Sequence, residues 1–159
     1  MIFALLFVIG LFITPQSALI DMGEHSDYIR FSLPCGNYEY YDIAPGSLSD
    51  MVGALQKARQ SGVKRIAFPY VFNAYYPELF NEVKAAYESG VNIYTSAGYV
   101  WTGPTDPAYL PFITTVGTLG PNGEYFSYVL YSDVEIIGLG CDKNECSNSL
   151  ASARLGACD

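Results

Sequence analysis

The sequence predicts an α/β domain with three layers, in which helices cover both faces of a mostly parallel sheet. Apolar segments of strand length alternate with amphipathic segments of helix length, and two successive helix–strand units repeat one design. The strand segments are apolar almost throughout, which is typical of parallel strands buried between helices. At 159 residues the chain is predicted to form one domain.

The chain begins with an apolar segment in which no residue from Met1 to Ala18 is charged. We predict a signal peptide over residues 1–18, and therefore a secreted, extracellular protein whose single domain spans residues 19–159. The apolar run is shorter than the roughly 20 residues of a membrane span. A retained N-terminal anchor and a buried first strand are the alternatives.

The first elements of the domain are a short strand and an irregular segment. Ala18 to Met22 is apolar apart from Asp21 and is predicted to be a strand. Glu24 to Ile43 contains a proline, a glycine and several tyrosines without clear periodicity. We interpret it as a surface excursion attached through Cys35.

The middle of the chain holds the two repeated helix–strand units. The first helix is predicted to begin at Ser47 and end at Gly62, before the strand Val63 to Phe68; the second ends at Gly90, before the strand Val91 to Ser96. Their apolar stripes are Leu48, Met51, Val52, Leu55 and Ala58, and Leu79, Phe80, Val83, Ala86 and Tyr87. This spacing matches crossover units, so the strands are predicted to be parallel with right-handed connections.

The last third of the chain supplies the remaining predicted elements. Strands are expected at Phe112 to Thr118 and Val134 to Leu139, with a hairpin-type turn at Asn122-Gly123 between them. A final helix is predicted to begin near Ser147.

Four cysteines, at positions 35, 141, 146 and 158, allow three pairings, and an oxidising compartment favours disulfides. If the final helix runs to Gly156, Cys146 and Cys158 lie about 18 Å apart, which is beyond disulfide reach. The preferred pairing is therefore Cys35 with Cys158 and Cys141 with Cys146. Four buried free thiols are the alternative.

Composition limits the partners and cofactors. With a net charge of −8, the chain would repel the phosphates of nucleic acids and anionic lipids, so we expect protein, peptide or glycan partners and no membrane contact beyond the alternative anchor. No glycine-rich phosphate loop follows a strand, and no cysteine–histidine spacing indicates zinc. No cofactor is predicted; Ca²⁺ is left open by the acidity, although no cluster of oxygen ligands identifies a site.

Several short motifs occur in one order along the chain. They are Leu19-Ile20-Asp21-Met22-Gly23, the helix from Ser49-Asp50 to Ala58, Ser96-Ala97-Gly98, Phe126-Ser127, the strand Val134 to Gly140, and Ser147 to Ala153 followed by Gly156. Together they resemble the motifs of subtilisin-like serine proteases (subtilases), from about Ala18 to Gly156. The resemblance implies a subtilisin-like fold, with Asp21 at the position of the catalytic acid and Ser149 at that of the nucleophile.

Two parts of the family's machinery are missing from the sequence. Tyr99 stands where subtilases have the Asn whose amide stabilises the oxyanion. The family's base lies in a His-Gly-Thr motif that opens a helix, whereas the only histidine here is His25, four residues after Asp21 and a weak candidate for the base. Because Asp42 to Leu48 leads directly to the next helix, the histidine-bearing helix is predicted to be deleted.

These departures predict a shortened, catalytically inactive subtilisin-like domain that binds proteins or peptides. The candidate surface is the former substrate cleft with the tyrosines at 38–41, 70–76 and 99–109 and Trp101, although these rings are equally explained by packing. One alternative is an active serine endopeptidase with Ser149 as nucleophile, or a fragment of one. Another is a doubly wound binding protein unrelated to subtilases.

Overall fold

The computed structural model describes residues 15–23, 26–69, 76–97, 111–119, 136–139 and 147–158; at 26–28, 119, 136–139 and 148–149 it describes the main chain only. The four described helices are α1 (Ser26–Ser32), α2 (Leu48–Ser61), α3 (Pro77–Glu88) and α4 (Asn148–Ala157). The six described strands are β1 (Ser17–Met22), β2 (Glu39–Ile43), β3 (Arg65–Phe68), β4 (Asn92–Ser96), β5 (Ile113–Leu119) and β6 (Ile136–Leu139).

The described strands form one sheet in the order β2-β1-β3-β4-β5-β6. Every neighbouring pair is parallel. Helices cover both faces, so the predicted three-layer α/β/α architecture is confirmed. The hairpin-type turn predicted at Asn122-Gly123 lies outside the described residues.

The ends of α2 and α3 follow the predicted capping signals. The Ser47 side chain accepts a hydrogen bond from the Asp50 main-chain N–H at 3.3 Å, and Pro77 opens α3. Gly62 and Gly90 follow the two helices with φ angles of 89° and 80°, a left-handed conformation that favours glycine. The short-range signals in the sequence therefore locate both helices.

One face of the sheet packs against α2 and α3 through large apolar side chains. Those that are buried include Ile20, Met51, Leu55, Ile66, Phe68, Leu79, Val83 and Ile93. The predicted stripes are confirmed except at Tyr87, which is 53% exposed and lies with its ring centroid 5.3 Å from that of Phe112. Tyr87 is therefore a surface residue at the edge of this layer.

The opposite face packs against α1 and α4 through smaller residues. Leu19 and Ala67 of the sheet lie in one buried cluster with Ile29 of α1 and Ala153 and Ala157 of α4. A Cβ atom placed on Gly156 would stand 2.6 Å from the Ala67 Cα. Glycine at 156 therefore lets α4 approach β3 closely, as the sequence predicted.

The interpretation of residues 24–43 as a surface excursion is wrong. This segment contains α1 and β2, and β2 pairs with β1 from Ala18↔Glu39 to Met22↔Ile43. Consecutive tyrosines favour a strand because aromatic residues suit a half-buried sheet surface. The predicted attachment is confirmed, since Cys35 and Cys158 form a disulfide with Cα atoms 5.5 Å apart. Cys141 and Cys146 lie outside the described residues.

The first described strand extends into the predicted signal peptide. Ser17 and Ala18 are buried in β1, and the Ser17 hydroxyl donates to the Ala157 carbonyl at 2.6 Å. The predicted boundary after residue 18 thus falls within β1, and the signal peptide itself stays a prediction. Among the described helices, none has the length and apolar character needed to span a membrane.

Candidate functional site

The strand order reverses between β1 and β3, and this reversal is where a functional crevice is expected at the carboxyl edge of the sheet. From β1 the chain moves outward to β2, whereas from β3 it moves in the opposite direction to β4. In open parallel sheets, functional groups collect at the carboxyl ends of strands where this direction reverses. Asp21 lies near the carboxyl end of β1, beside this reversal.

Asp21 is buried, with 0% of its surface exposed. Its Oδ1 accepts a hydrogen bond from the Met22 main-chain N–H at 2.9 Å. Side chains alternate along a strand, so Asp21 lies on the same face as Leu19, which packs in the α1 and α4 layer. The carboxylate therefore belongs to the layer that also contains Ser149.

Tyr38 lies close enough to both Arg30 and Asp21 for their charges to act on its phenol. Burial raises the pKa of the Tyr38 phenol, the Arg30 charge and hydrogen bond lower it, and the Asp21 charge raises it further, with a net upward shift. The Arg30 guanidinium also lies 4.6 Å above the centre of the Tyr40 ring. Because its pKa is raised, Tyr38 is protonated at neutral pH and cannot accept a proton as a general base.

The first turn of α4 contains Ser149 and is fixed to the carboxyl end of β5. The Thr118 hydroxyl donates to the Ser147 carbonyl at 2.8 Å, and the Ser147 hydroxyl accepts from the Leu150 main-chain N–H at 3.1 Å. The predicted helix start near Ser147 is therefore confirmed. The Ser149 main chain lies one residue inside this helix.

Asp21 and Ser149 thus lie at the same edge of the sheet. Two strands, β3 and β4, separate β1 from β5. At a strand spacing of roughly 4.8 Å, the axes of β1 and β5 are about 14 Å apart. In a catalytic triad the acid and the nucleophile are bridged by the base, so a bridging group is needed here. His25 and Tyr99, the two other candidate positions, lie outside the described residues.

The connection from β2 to α2 has no room for a further helix. Only residues 44–47 separate the two elements, and they form a turn in which the Ser47 N–H donates to the Ala44 carbonyl at 3.1 Å. Gly46 has a φ angle of 74°, which allows this tight turn. The predicted deletion between Asp42 and Leu48 agrees with this direct connection.

The tyrosines of the predicted binding surface fall into different environments. Tyr40 and Tyr41 belong to β2 and pack against the clusters on opposite faces of the sheet, so for them the packing interpretation is correct. Residues 70–75 and 99–109, including Trp101, lie outside the described residues. Within the described ranges, no group of three or more His, Cys, Asp or Glu side chains is arranged to hold a metal ion.

The parallel sheet, the two helical layers and the position of α4 define a subtilisin-like fold, and comparisons with solved structures agree. The chain resembles the patellamide maturation protease PatG, with a TM-score of 0.60 and 16% identity over 75% of this chain and 42% of that one. It also resembles the PatG macrocyclase solved in complex with peptide, with a TM-score of 0.61 and 16% identity over 78% and 45% of the two chains.

A third similar structure is a mutant of the protease domain of PatA. Its TM-score is 0.65 at 13% identity, and the match covers 91% of this chain and 71% of that one. No protein-family model matches the sequence, and no curated protein matches it. The chain spans less than half of the two PatG chains. The shared property at these identities is the fold, which confirms the subtilisin-like architecture expected from the motifs.

Proposed function

We propose that this protein is a secreted subtilisin-like domain that has no peptidase activity and binds a protein or peptide at the carboxyl edge of its sheet. The observation that carries the proposal is the direct connection from β2 to α2 through residues 44–47. This connection leaves no helix to carry a base, and His25 is the only histidine in the sequence.

The chemistry of the hydroxyl supports inactivity. A serine is a weak nucleophile at neutral pH unless a neighbouring base removes its proton. Loss of one triad member in a serine protease lowers turnover by about 10⁴ to 10⁶, and loss of an oxyanion donor lowers it by about 10² to 10³. Tyr38, whose phenol is affected by the Asp21 charge, has a raised pKa and stays protonated at neutral pH. Tyr99 replaces the amide donor by a larger ring.

Peptide binding is supported by the fold and by one of its neighbours. The PatG macrocyclase was solved in complex with peptide, so a protein with a similar fold can bind a peptide. Tyrosine and tryptophan are abundant between residues 99 and 109, and such side chains offer large contact areas at low entropic cost. In this proposal Asp21 is a structural residue of β1.

Export is supported by the N-terminal segment and the disulfide. Residues 1–18 are uncharged, and the Cys35–Cys158 bond forms most readily in an oxidising compartment. We expect cells that express the full chain to release an N-terminally shortened, disulfide-bonded form. Intact-mass measurement of the medium, with and without reductant, checks both features.

The second candidate function is an active serine endopeptidase, or a fragment of one. It is favoured by the arrangement of Asp21 and the first turn of α4 at one edge of the sheet, and by a chain that covers less than half of the two PatG chains. In this case Ser149 would be the nucleophile, and His25, or a histidine outside this sequence, would be the base.

A fluorophosphonate probe distinguishes the two functions because it reacts only with an activated serine. We expect the native protein to show no labelling above that of Ser149→Ala, as measured by intact mass. Ser89→Ala, a change of an exposed serine after α3, is the matched control. Stoichiometric labelling that is lost in Ser149→Ala and retained in Ser89→Ala would overturn the proposal in favour of the peptidase.

A further inference from the structure

The Cys35–Cys158 disulfide joins two parts of the α1 and α4 layer that are far apart in the sequence. Cys158 caps the end of α4, and Cys35 lies in the connection from α1 to β2. The disulfide therefore attaches the α1 segment, defined here as residues 26–38, to α4. The other end of α4 is attached separately, through the hydrogen bond from Thr118 to the Ser147 carbonyl.

The apolar packing of α1 is small in scale. This helix has seven residues, too few to be stable without tertiary contacts. Of the four α1 side chains that the structure describes, Ile29 is buried, Ser32 is half-buried, and Arg30 and Phe31 are exposed. Ile29 lies in one cluster with Leu19 and three alanines of β3 and α4. Because alanines bury little apolar area, this cluster stabilises the docking of α1 less than large side chains would.

Polar contacts supplement the disulfide. Arg154 donates from Nη2 to the Ser32 carbonyl at 3.3 Å, and the Arg30 guanidinium lies 4.6 Å above the centre of the Tyr40 ring. Arg30 is exposed and Arg154 is half-buried, so water competes for both charged groups. We therefore expect the covalent bond to dominate the attachment of the α1 segment to α4.

The disulfide lies near the surface of the protein. Cys35 and Cys158 are both half-buried, and the residues around Cys35, namely Pro34, Gly36 and Asn37, are exposed. A thiolate must reach a sulfur atom directly to exchange with it, and exposed disulfides are more often labile or regulatory than buried ones. We expect a reductant to reach this bond without unfolding the sheet.

The α1 segment borders the carboxyl edge of the sheet. Its first residue, Ser26, follows Gly23 by three residues, so the two Cα atoms are at most about 11 Å apart. At the other end of the segment, Tyr38 lies close enough to Arg30 and Asp21 for their charges to act on its phenol. Movement of this segment would therefore change the surroundings of Asp21.

We propose that the Cys35–Cys158 disulfide is a redox-sensitive latch: a dithiol reductant opens it, and the α1 segment then leaves α4 and uncovers the carboxyl edge beside Asp21. One thiolate of the dithiol attacks a sulfur atom, forms a mixed disulfide and displaces the other cysteine as a thiolate, which takes up a proton. The second thiol of the dithiol then displaces the remaining cysteine in the same way. The protein gains two electrons and two protons, and the dithiol becomes a disulfide.

The opening of the latch rests on the packing of the α1 segment alone. Its use as a control of peptide binding rests on the function proposed above, because it changes access to the same edge of the sheet. The experiments below measure the opening without a peptide, so that the two proposals can fail separately.

Hydrogen exchange measured by NMR tests the opening. The protein carries Cys141→Ser and Cys146→Ser, so that dithiothreitol acts on the Cys35–Cys158 bond alone. After reduction, the amides of residues 29–38 are expected to exchange at least about tenfold faster, whereas those of α3 change by less than roughly twofold. The Met22 amide, which donates to Asp21 Oδ1 at 2.9 Å, is expected to exchange faster as well.

A matched variant separates the loss of the disulfide from other effects of the reductant. Cys35→Ser with Cys158→Ser, in the same background, is expected to exchange rapidly at residues 29–38 without reductant and to show no response to it. Circular dichroism of the reduced protein and of this variant is expected to show that the helices of the other layer are retained.

The rate of reduction tests whether the sulfur atoms are reached in the folded protein. Alkylation of the released thiols, followed by intact mass, measures this rate in native buffer. Low concentrations of urea favour unfolding, and they are expected to leave the rate unchanged.

Four results would overturn the latch. They are strong acceleration of reduction by low urea, unchanged exchange at residues 29–38 after reduction, unchanged exchange at Met22, and unfolding of the whole domain on reduction. Labelling of Ser149 by the fluorophosphonate probe, in contrast, would overturn the proposed function and leave the latch intact.

Discussion

The layer formed by α2 and α3 packs on the sheet through large apolar side chains, whereas the layer formed by α1 and α4 packs through small ones. Leu55 and Val83 fill the first interface. In the second, Gly156 lies directly on Ala67, and the Cys35–Cys158 disulfide joins the end of α4 to the segment after α1. The two layers therefore depend on different physical features.

From this difference we expect the α1 and α4 layer to be held more rigidly than the α2 and α3 layer. Large side chains can adopt other rotamers when a neighbour changes, whereas a helix in near-backbone contact with a strand cannot move without losing the contact. The more rigid layer contains Asp21 and the α4 turn with Ser149. Four predictions test this contrast, from the largest expected effect to the smallest.

The disulfide is expected to be the strongest single feature of the rigid layer. Replacing both Cys35 and Cys158 by serine opens a connection across 123 residues of sequence. The chain-entropy treatment gives a loss of about 5 kcal/mol in the free energy of unfolding, measured by guanidinium denaturation. Replacing Cys141 and Cys146, the other predicted pair, is the control, for which the short loop gives about 2 kcal/mol. If both double variants lose the same free energy of unfolding, the Cys35–Cys158 disulfide is not what distinguishes the two layers.

Replacing a helical glycine by alanine is expected to change the free energy of unfolding in opposite directions at Gly156 and at Gly53. Gly156→Ala places a Cβ within 2.6 to 2.8 Å of Ala67 atoms and should destabilise the protein by about 2 to 3 kcal/mol. Gly53→Ala meets no atom within 4 Å and should stabilise it by about 0.5 to 1 kcal/mol, because alanine favours a helix interior. Urea denaturation of both variants measures the difference. A stable Gly156→Ala protein would show that α4 can move after all.

The α2 and α3 layer is joined by one well-shielded ion pair. Arg59 Nε donates to Glu82 Oε1 at 2.7 Å, and the Glu82 side chain is only 7% exposed. Glu82→Gln should reduce the free energy of unfolding by about 2 kcal/mol. Glu88→Gln is the control, because its 3.8 Å pair with Lys84 is 63% exposed at the carboxylate and should contribute at most about 0.5 kcal/mol. If Glu82→Gln and Glu88→Gln reduce the free energy of unfolding by similar amounts, shielding from solvent does not strengthen the Arg59–Glu82 pair.

The smallest effect concerns Tyr41 of β2 at high pH. Burial, followed by the hydrogen bond to Glu39, raises the pKa of Tyr41 from 10 to about 12. Its folded-state pKa is higher than its unfolded value, so its stabilising contribution is complete below pH 10 and is lost as the pH rises towards 12. The stability difference between native protein and Tyr41→Phe, about 1 kcal/mol at most, should shrink over this range. Tyr87→Phe controls for loss of a surface phenol; a constant difference for Tyr41→Phe would contradict the prediction.

The parts of the fold that the sequence predicts are those governed by local signals. Ser47, Gly62 and Gly90 mark helix ends through contacts within a few residues, so α2 and α3 could be located. In contrast, β2 is stabilised by pairing with β1, some twenty residues earlier, and its half-buried residues show no simple alternation. A strand that is stabilised mainly by a partner distant in the sequence has only a weak signal in its own residues.

The candidate site also has a part that local sequence signals predict and a part that they do not. Asp21 and Ser149 could be assigned to one edge of the sheet because each follows a recognisable element: a strand end for the acid and a helix start for the serine. The interactions of Tyr38 with Arg30 and with Asp21 could not be predicted, because Arg30 is placed by α1, whose seven residues lack a clear periodic pattern.

The hydrogen bond from Ser17 to the Ala157 carbonyl has a consequence for protein engineering. It brings the start of β1 and the end of α4 within 2.6 Å of each other, although 140 residues separate them in the sequence. A unit whose entry and exit points nearly touch can be spliced into a surface loop of a host protein without distorting either partner. The same geometry allows a short linker to join these two points, so that a circularly permuted chain could start elsewhere.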